Sequence, residues 1–165
     1  MHVVTEPPRP TRAEVELELA EHVRALAGPD AVPRPDQVEA VAAVVAERRR
    51  TLLVARTGFG KSAVYFSATR MLRDRGWGPT VVVSPLLALM RDQVAAAERL
   101  GLSAVTINSS NIDAWAEMEQ RIARDEVDLL LIAPERLANA GFRRRVFDTM
   151  QTRAFALVCD EAHCI

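Results

Sequence analysis

The stretch Ala55-Arg56-Thr57-Gly58-Phe59-Gly60-Lys61-Ser62 has the residue types needed to hold phosphate. It follows a short apolar run, Thr51-Leu52-Leu53-Val54, and opens onto a helical pattern from Ala63 to Leu72. A strand, a glycine-containing turn and Lys-Ser at a helix start make the layout of a phosphate-binding loop. Turn N–H groups and a helix N-terminus both direct positive dipole ends at one place. Lys61 adds a full charge there, and it is the only lysine among the 21 Lys+Arg of the chain. A slim, flexible point charge reaches between phosphates better than the planar arginine fork used elsewhere in this sequence. In such a loop Lys61 contacts the β- and γ-phosphates of a nucleotide and the Ser62 hydroxyl ligates Mg2+. Thr57, Gly58, Phe59 and Gly60 form the cradle. The glycines permit close backbone approach, while Phe59 must turn its ring away from phosphate. Ala55 stands where the usual pattern G-x-x-x-x-G-K-[ST] has its first glycine.

A second chemical group lies far downstream, where Phe155-Ala156-Leu157-Val158-Cys159 runs straight into Asp160-Glu161-Ala162-His163. A buried strand ending in Asp-Glu suits Mg2+-dependent phosphate hydrolysis. Asp160 would hold the metal, usually through water, as hard cations prefer. Glu161 would orient or deprotonate the attacking water. Taken singly, each motif has a plain structural alternative: an ordinary strand–helix turn, or two acids at a helix N-cap. Together, in this order and on the same kind of element, they indicate an NTPase-type site.

The elements that must position these residues follow from pattern. Residues 1–10 are Pro-rich and expected to be disordered. Thr11 and Glu14 have capping-box spacing for a helix to about Ala27, with Leu19, His22, Val23 and Leu26 on one side. Gly28-Pro29-Asp30 stops it. A second helix follows Pro33-Arg34-Pro35-Asp36-Gln37, carries Val38, Val41, Ala42 and Val45 inward, and ends in Arg48-Arg49-Arg50, which complements its dipole. Strands are then expected at 52–55, 80–84, 103–107, 128–133 and 155–159, with helices at 62–74, 86–99, 112–124 and about 141–151. Several strands are continuous apolar runs, as strands covered on both faces are. The alternation implies an α/β fold with a parallel sheet, whose ligands bind beyond the carboxyl ends of the strands.

Composition sets limits. The 165 residues suit one ordinary domain with a real core. Content of 49% hydrophobic and 26% charged residues is that of a soluble globular chain, and a net charge of −1 confines any nucleic-acid site to local patches. Cys159 and Cys164 have no zinc-spaced partners and read as reduced thiols. No apolar run approaches the ~18–20 residues of a membrane span, and the N-terminus lacks a signal pattern; the expected address is the cytoplasm.

The two motifs also carry a resemblance. Asp160-Glu161-Ala162-His163 is similar to the DEAH form of the Walker B box of superfamily 2 helicases, and Ala55–Ser62 to their variant phosphate loop, in which Ala often replaces the first Gly. Three stretches narrow this to RecQ-like DNA helicases: Val81-Val82-Val83-Ser84-Pro85-Leu86-Leu87-Ala88-Leu89-Met90-Arg91-Asp92-Gln93-Val94, Leu131-Ile132-Ala133-Pro134-Glu135-Arg136-Leu137, and Cys164-Ile165 directly after the DEAH box. The resemblance covers roughly residues 34–165. It implies a three-layer, RecA-like P-loop fold, ATP and Mg2+ as cofactors, and an ATP-dependent 3'-5' DNA helicase as the whole protein. Lys61 and Glu161 would be catalytic, and Ser62 and Asp160 would ligate Mg2+. Arg34 and Gln37 match the family's adenine-reading motif. The family usually has an aromatic residue just before that Arg; Pro33 stands there, and weaker base selectivity is the corresponding expectation. Ser84, Pro85, Arg91, Ser109, Pro134 and Arg136 would line a track for single-stranded or junction DNA, and His163 would couple nucleotide state to later motifs. Arg48–Arg50 and Arg143–Arg145 read as solvated helix faces, and Trp77 and Trp115 as packing residues.

The family's later parts, including a second RecA-like domain with its arginine fingers, do not follow Ile165 in this sequence. The expectation is an N-terminal helix and linker at 11–33, then a RecA-like domain at 34–165 that is incomplete at its C-terminus. Such a chain would bind ATP·Mg2+ weakly and neither hydrolyse it efficiently nor unwind DNA. Three alternatives stand beside this: an RNA helicase of DEAD/DEAH type, a P-loop kinase or GTPase, and a binding module without catalysis. The Ser-Pro-Leu and Ala-Pro-Glu-Arg-Leu stretches oppose the kinase or GTPase, and intact Lys61, Asp160 and Glu161 oppose the inert module.

Overall fold

A computed structural model describes residues 8–56, 58–85, 87–108, 115–150 and 156–161. Thr57, Ser109 and His163 lie outside the described residues, as does most of the Pro-rich start; of that start Pro10 is described, and it is buried. The chain divides into two units between Gly76 and Trp77.

The first unit holds three mutually packed helices, α1 (Arg12–Ala27), α2 (Pro35–Val45) and α3 (Lys61–Asp74). The capping box forms as its spacing requires: the Thr11 hydroxyl accepts the Glu14 N–H at 3.3 Å, and the Glu14 carboxylate accepts the Thr11 N–H at 2.6 Å. The Thr11 N–H and hydroxyl, both donating to that carboxylate, hold the Glu14 carboxyl below its ordinary pKa. Val15, Leu19 and Val23 of α1, Val41 and Val45 of α2, and Phe66 and Met71 of α3 are buried. Arg75, just past α3, pairs with Glu18 of α1 at 2.5 Å.

Two expectations fail in this unit. Helix α2 stops before the arginines: the Glu47 and Arg49 N–H groups donate back to the Ala42 and Ala43 carbonyls, and Arg48 takes a left-handed φ of 57°. Residues 52–55 form no strand. Leu52 and Val54 are 82% and 86% exposed, and a strand needs a ladder partner that this run does not have among the described residues.

The second unit is a four-stranded parallel sheet: β1 (Thr80–Val83), β2 (Ala104–Ile107), β3 (Leu129–Ile132) and β4 (Ala156–Cys159), in the order β2-β3-β1-β4. Helices α4 (Leu87–Glu98), α5 (Trp115–Ala123), α6 (Pro134–Ala138) and α7 (Ala140–Met150) connect them. One face, built from Val81, Val83, Val105, Ile107, Leu130 and Ile132, shares a core with Ile122 of α5 and Phe142, Val146 and Met150 of α7. On the other face Val82, Leu129 and Leu131 are also fully buried, so β1 and β3 are covered on both sides as their sequences imply. Strand β4 is the correction. Leu157 is 57% exposed and Cys159 is exposed, because the shared core stops at β1. Helix α6 was not expected; Pro134 opens it at the position where a missing N–H costs nothing.

The register pairs Val83 with both Ile132 and Cys159, and Ile107 with Ile132. All four carboxyl ends therefore form one row, which places Ser84, Asn108, Ala133 and Asp160 along one edge. Among the described residues, no helix is long and apolar enough to cross a membrane.

Candidate functional site

The phosphate loop belongs to the first unit and the acidic pair to the second. In the loop, Gly58 and Gly60 have φ of 78° and 86°, values that L side chains adopt with strain. Gly60 is the N-cap of α3 and supplies no side chain to the helix's first N–H groups. The Ala63 N–H turns back to the Gly60 carbonyl at 3.1 Å, and Lys61 and Ser62 are the first two helical residues, at the helix end whose dipole attracts anions. The Lys61 ammonium donates to the Ala55 carbonyl at 3.5 Å, which folds the loop over its own lysine.

Gln37 fastens this loop to α2. Its Oε1 accepts the Arg34 N–H at 2.9 Å, and its Nε2 donates to the Phe59 and Gly60 carbonyls at 3.2 and 3.3 Å. The Arg34 guanidinium sits over the Phe59 ring, 5.2 Å from its centroid, so Arg34, Gln37, Phe59, Gly60 and Lys61 form one cluster. A Cβ at Gly60 would lie 2.8 Å from Gln37 Nε2, whereas one at Gly58 would meet nothing within 4 Å. Gly60→Ala should therefore lower stability by about 1–3 kcal/mol and release Gln37, against about 1–2 kcal/mol of backbone strain alone for Gly58→Ala. Urea denaturation of both variants checks the order.

In the second unit Asp160 follows β4 directly, and its N–H donates to the Val83 carbonyl at 2.8 Å, extending the ladder by one step. Asp160 Oδ1 accepts the Glu161 N–H at 3.1 Å, and Oδ2 accepts from Gln93 Nε2 of α4 at 3.4 Å. Glu161 has a left-handed φ of 51°, so the chain turns sharply where the second acid is presented. Gln93 was not singled out by sequence reasoning. Its contact spans 67 positions, and no local pattern signals that.

The residues expected to touch nucleic acid are placed unevenly. Ser84 is fully enclosed, its hydroxyl has no hydrogen-bond partner among the described residues, and its N–H is spent on the Ile132 carbonyl. As it stands, the Ser84 hydroxyl is shut off from solvent. Pro85 and Pro134 are half-buried at the same sheet edge, and Arg91 is exposed on α4. Arg136 lies over the Trp115 ring at 4.1 Å, and Trp115 Nε1 donates to the Asn108 carbonyl at 3.0 Å. Trp115 also packs against the sheet core, so it both fills space and seats an arginine.

Taken unit by unit, each set of residues has the chemistry for one part of a magnesium nucleotide. Helix α3 presents an N-terminus without a side-chain cap, behind two left-handed glycines and beside the ammonium of Lys61. Among the described residues the Asp160 oxygens each accept one hydrogen bond, and each has a further lone pair with which a carboxylate can meet a hard cation or its water.

A parallel sheet with a strand-end acidic pair, and a glycine turn running into Lys-Ser, define a RecA-like P-loop α/β protein. The family description "DEAD/DEAH box helicase" matches residues 34–165, and the chain belongs to that family. It is 37% identical over 134 residues to the ATP-dependent DNA helicase RecQ of Bacillus subtilis (strain 168), covering 80% of this chain and 21% of that protein. It is 32% identical over 136 residues to the ATP-dependent DNA helicase Q1 of Pongo abelii, covering 79% and 20%. With the ATP-dependent DNA helicase Q5 of Rattus norvegicus it shares 33% identity over 142 residues, covering 84% and 14%. The chain thus spans about a fifth or less of the length of the curated relatives it matches.

Proposed function

We propose that this chain is the nucleotide-gripping part of a RecQ-type motor that uses ATP·Mg2+ to move along single-stranded DNA in the 3'-5' direction and open duplex. The observation that carries the reading is the uncapped start of α3, with left-handed Gly60, Lys61 and Ser62 in succession. In this reading Lys61 stabilises charge on the β- and γ-phosphates, and Thr57 to Ser62 cradle them. Ser62 and Asp160 hold Mg2+, and Glu161 prepares the attacking water. Bound Mg2+ would neutralise phosphate charge. Arg34 and Gln37 serve the base end of the site. A DNA track is proposed along Pro85, Arg91, Pro134 and Arg136 together with Ser109, with Ser84 beneath it, and His163 links nucleotide state to the rest of the motor. The nucleotide lobe is taken to run from residue 34, where the family match starts, behind a helix and linker at 11–33. Turnover and unwinding belong to this lobe working against a second RecA-like domain, and residues 1–165 by themselves bind nucleotide weakly. A cytoplasmic, nucleoid-associated setting goes with a DNA substrate.

Calorimetric titration with ATP·Mg2+ tests the reading. Lys61→Ala should weaken binding by about 10–150-fold, the equivalent of one charged hydrogen bond to phosphate. An affinity that ignores the substitution would mean that nucleotide does not use this loop.

A further inference from the structure

The Asp160 carboxylate is held from two sides. The Glu161 N–H, in the same turn, donates to Oδ1 at 3.1 Å. Gln93 Nε2, from α4, donates to Oδ2 at 3.4 Å. With the first contact alone, the side chain would still swing about its one fixed oxygen. The second sets the plane of the carboxylate. Gln93 is half-buried, and its Oε1 is a buried acceptor without a hydrogen-bond partner among the described residues. A glutamine that only tied α4 to the sheet would gain by using both ends of its amide, since a buried carbonyl without a donor costs free energy. A carboxylate accepts only, so the N–H end must be the one that faces Asp160. The amide thus keeps its donor on Asp160 while its carbonyl stays unmatched, and the contact with the acid is what its orientation serves.

We propose that Gln93 is a positioning residue for the divalent cation: it acts through Asp160, whose carboxylate it holds ready, and so sets how much Mg2+ adds to nucleotide affinity. Groups that orient a ligating carboxylate commonly govern metal affinity without touching the metal. The inference rests on the reading of Asp160 as a Mg2+ ligand and deepens it.

The test is calorimetric titration of residues 1–165 with ATP, once in excess Mg2+ and once in EDTA. The ratio of the two affinities is the quantity read. The proteins are the wild type, Gln93→Leu, Gln93→Met, Asp160→Asn and the double variant Gln93→Met with Asp160→Asn, each checked for folding by thermal denaturation. Asp92→Asn, at an exposed position next to Gln93 on α4, is the control and should match the wild type. Methionine keeps the length of glutamine and fills similar space, so a loss shared by the Leu and Met variants belongs to the hydrogen bond. Both should lower the ratio by about three- to tenfold, at or below the low end for such partners because the contact is long, and leave the affinity in EDTA unchanged. Asp160→Asn should lower the ratio further. The double variant should match Asp160→Asn alone, since Gln93 then has no carboxylate to hold.

A Gln93→Met ratio within about twofold of the wild type overturns the proposal. So does an equal loss in EDTA, which would make Gln93 a packing residue, or a double variant clearly below Asp160→Asn, which would give Gln93 a role apart from the acid. Wild-type protein that binds no ATP, or binds it equally in Mg2+ and EDTA, removes the magnesium-nucleotide reading itself, and this inference with it; the wild-type titration shows that before any variant is compared.

Discussion

On the proposed function, Glu161→Gln should leave ATP binding nearly intact and lower single-stranded-DNA-stimulated ATP turnover by about 10²–10⁴-fold, the range for loss of a general base. The substitution keeps the shape of the side chain and removes its capacity to take a proton. It also leaves the local backbone in place, since the turn at Glu161 depends on its φ of 51° and on its N–H bonded to Asp160 Oδ1. On the proposed function, the measurement is phosphate release by a RecQ-type protein that includes this lobe, with nucleotide affinity measured in parallel. A loss below about tenfold would assign the water to another group. A matching loss of affinity would mean that Glu161 holds nucleotide or metal instead of preparing water.

Phe142→Ala should lower the unfolding free energy by about 3–5 kcal/mol, the usual range for removing a large buried ring. Phe142 is 1% exposed in the core that α7 shares with β1, β2 and β3. Its N–H donates to Asn139 Oδ1 at 2.9 Å, which fixes the start of α7 over the sheet. Urea denaturation reads the change, and the melting temperature should fall by something on the order of 10 °C. Exposed Arg144 on the same helix is the control, with Arg144→Ala expected within about 0.5 kcal/mol of wild type. The effect reaches function because this core sets the row in which the strand ends lie, and Asp160 continues one of those strands.

What the sequence revealed depended on how far each signal reaches. The helices were legible wherever a cap or a period of 3.6 lay within one segment. Thr11 with Glu14 marks the start of α1, and Gly60-Lys61-Ser62 marks that of α3. Strands β1 and β3 were legible because Val81-Val82-Val83 and Leu129-Leu130-Leu131-Ile132 have no polar face to show water. The same reasoning failed at Leu52-Leu53-Val54, since a short apolar run states a need for burial without naming a partner. It also overstated the cover on β4, where the apolar letters Leu157 and Cys159 face out. In the site, the residue types of the loop and of the acidic pair were readable from local spacing. The bonds that hold them were not, because Gln37 reaches carbonyls 22 and 23 positions away and Gln93 reaches Asp160 across 67. Phe59 was legible only as a misfit, and its ring turns out to seat Arg34.

The open face of β4 has a colloidal consequence. The strand stands at the margin of the sheet, with a ladder partner on one side among the described residues, and Ala156-Leu157-Val158-Cys159 carries no charge. Uncharged edge strands recruit copies of themselves, and natural sequences restrain this by placing charges beside them. Asp160 and Glu161 stand there, so that stacking a second β4 in register would bring four carboxylates into one small volume. Charges placed there would oppose in-register self-association of the strand that carries them. Neutralising both at once would endanger solubility as well as chemistry.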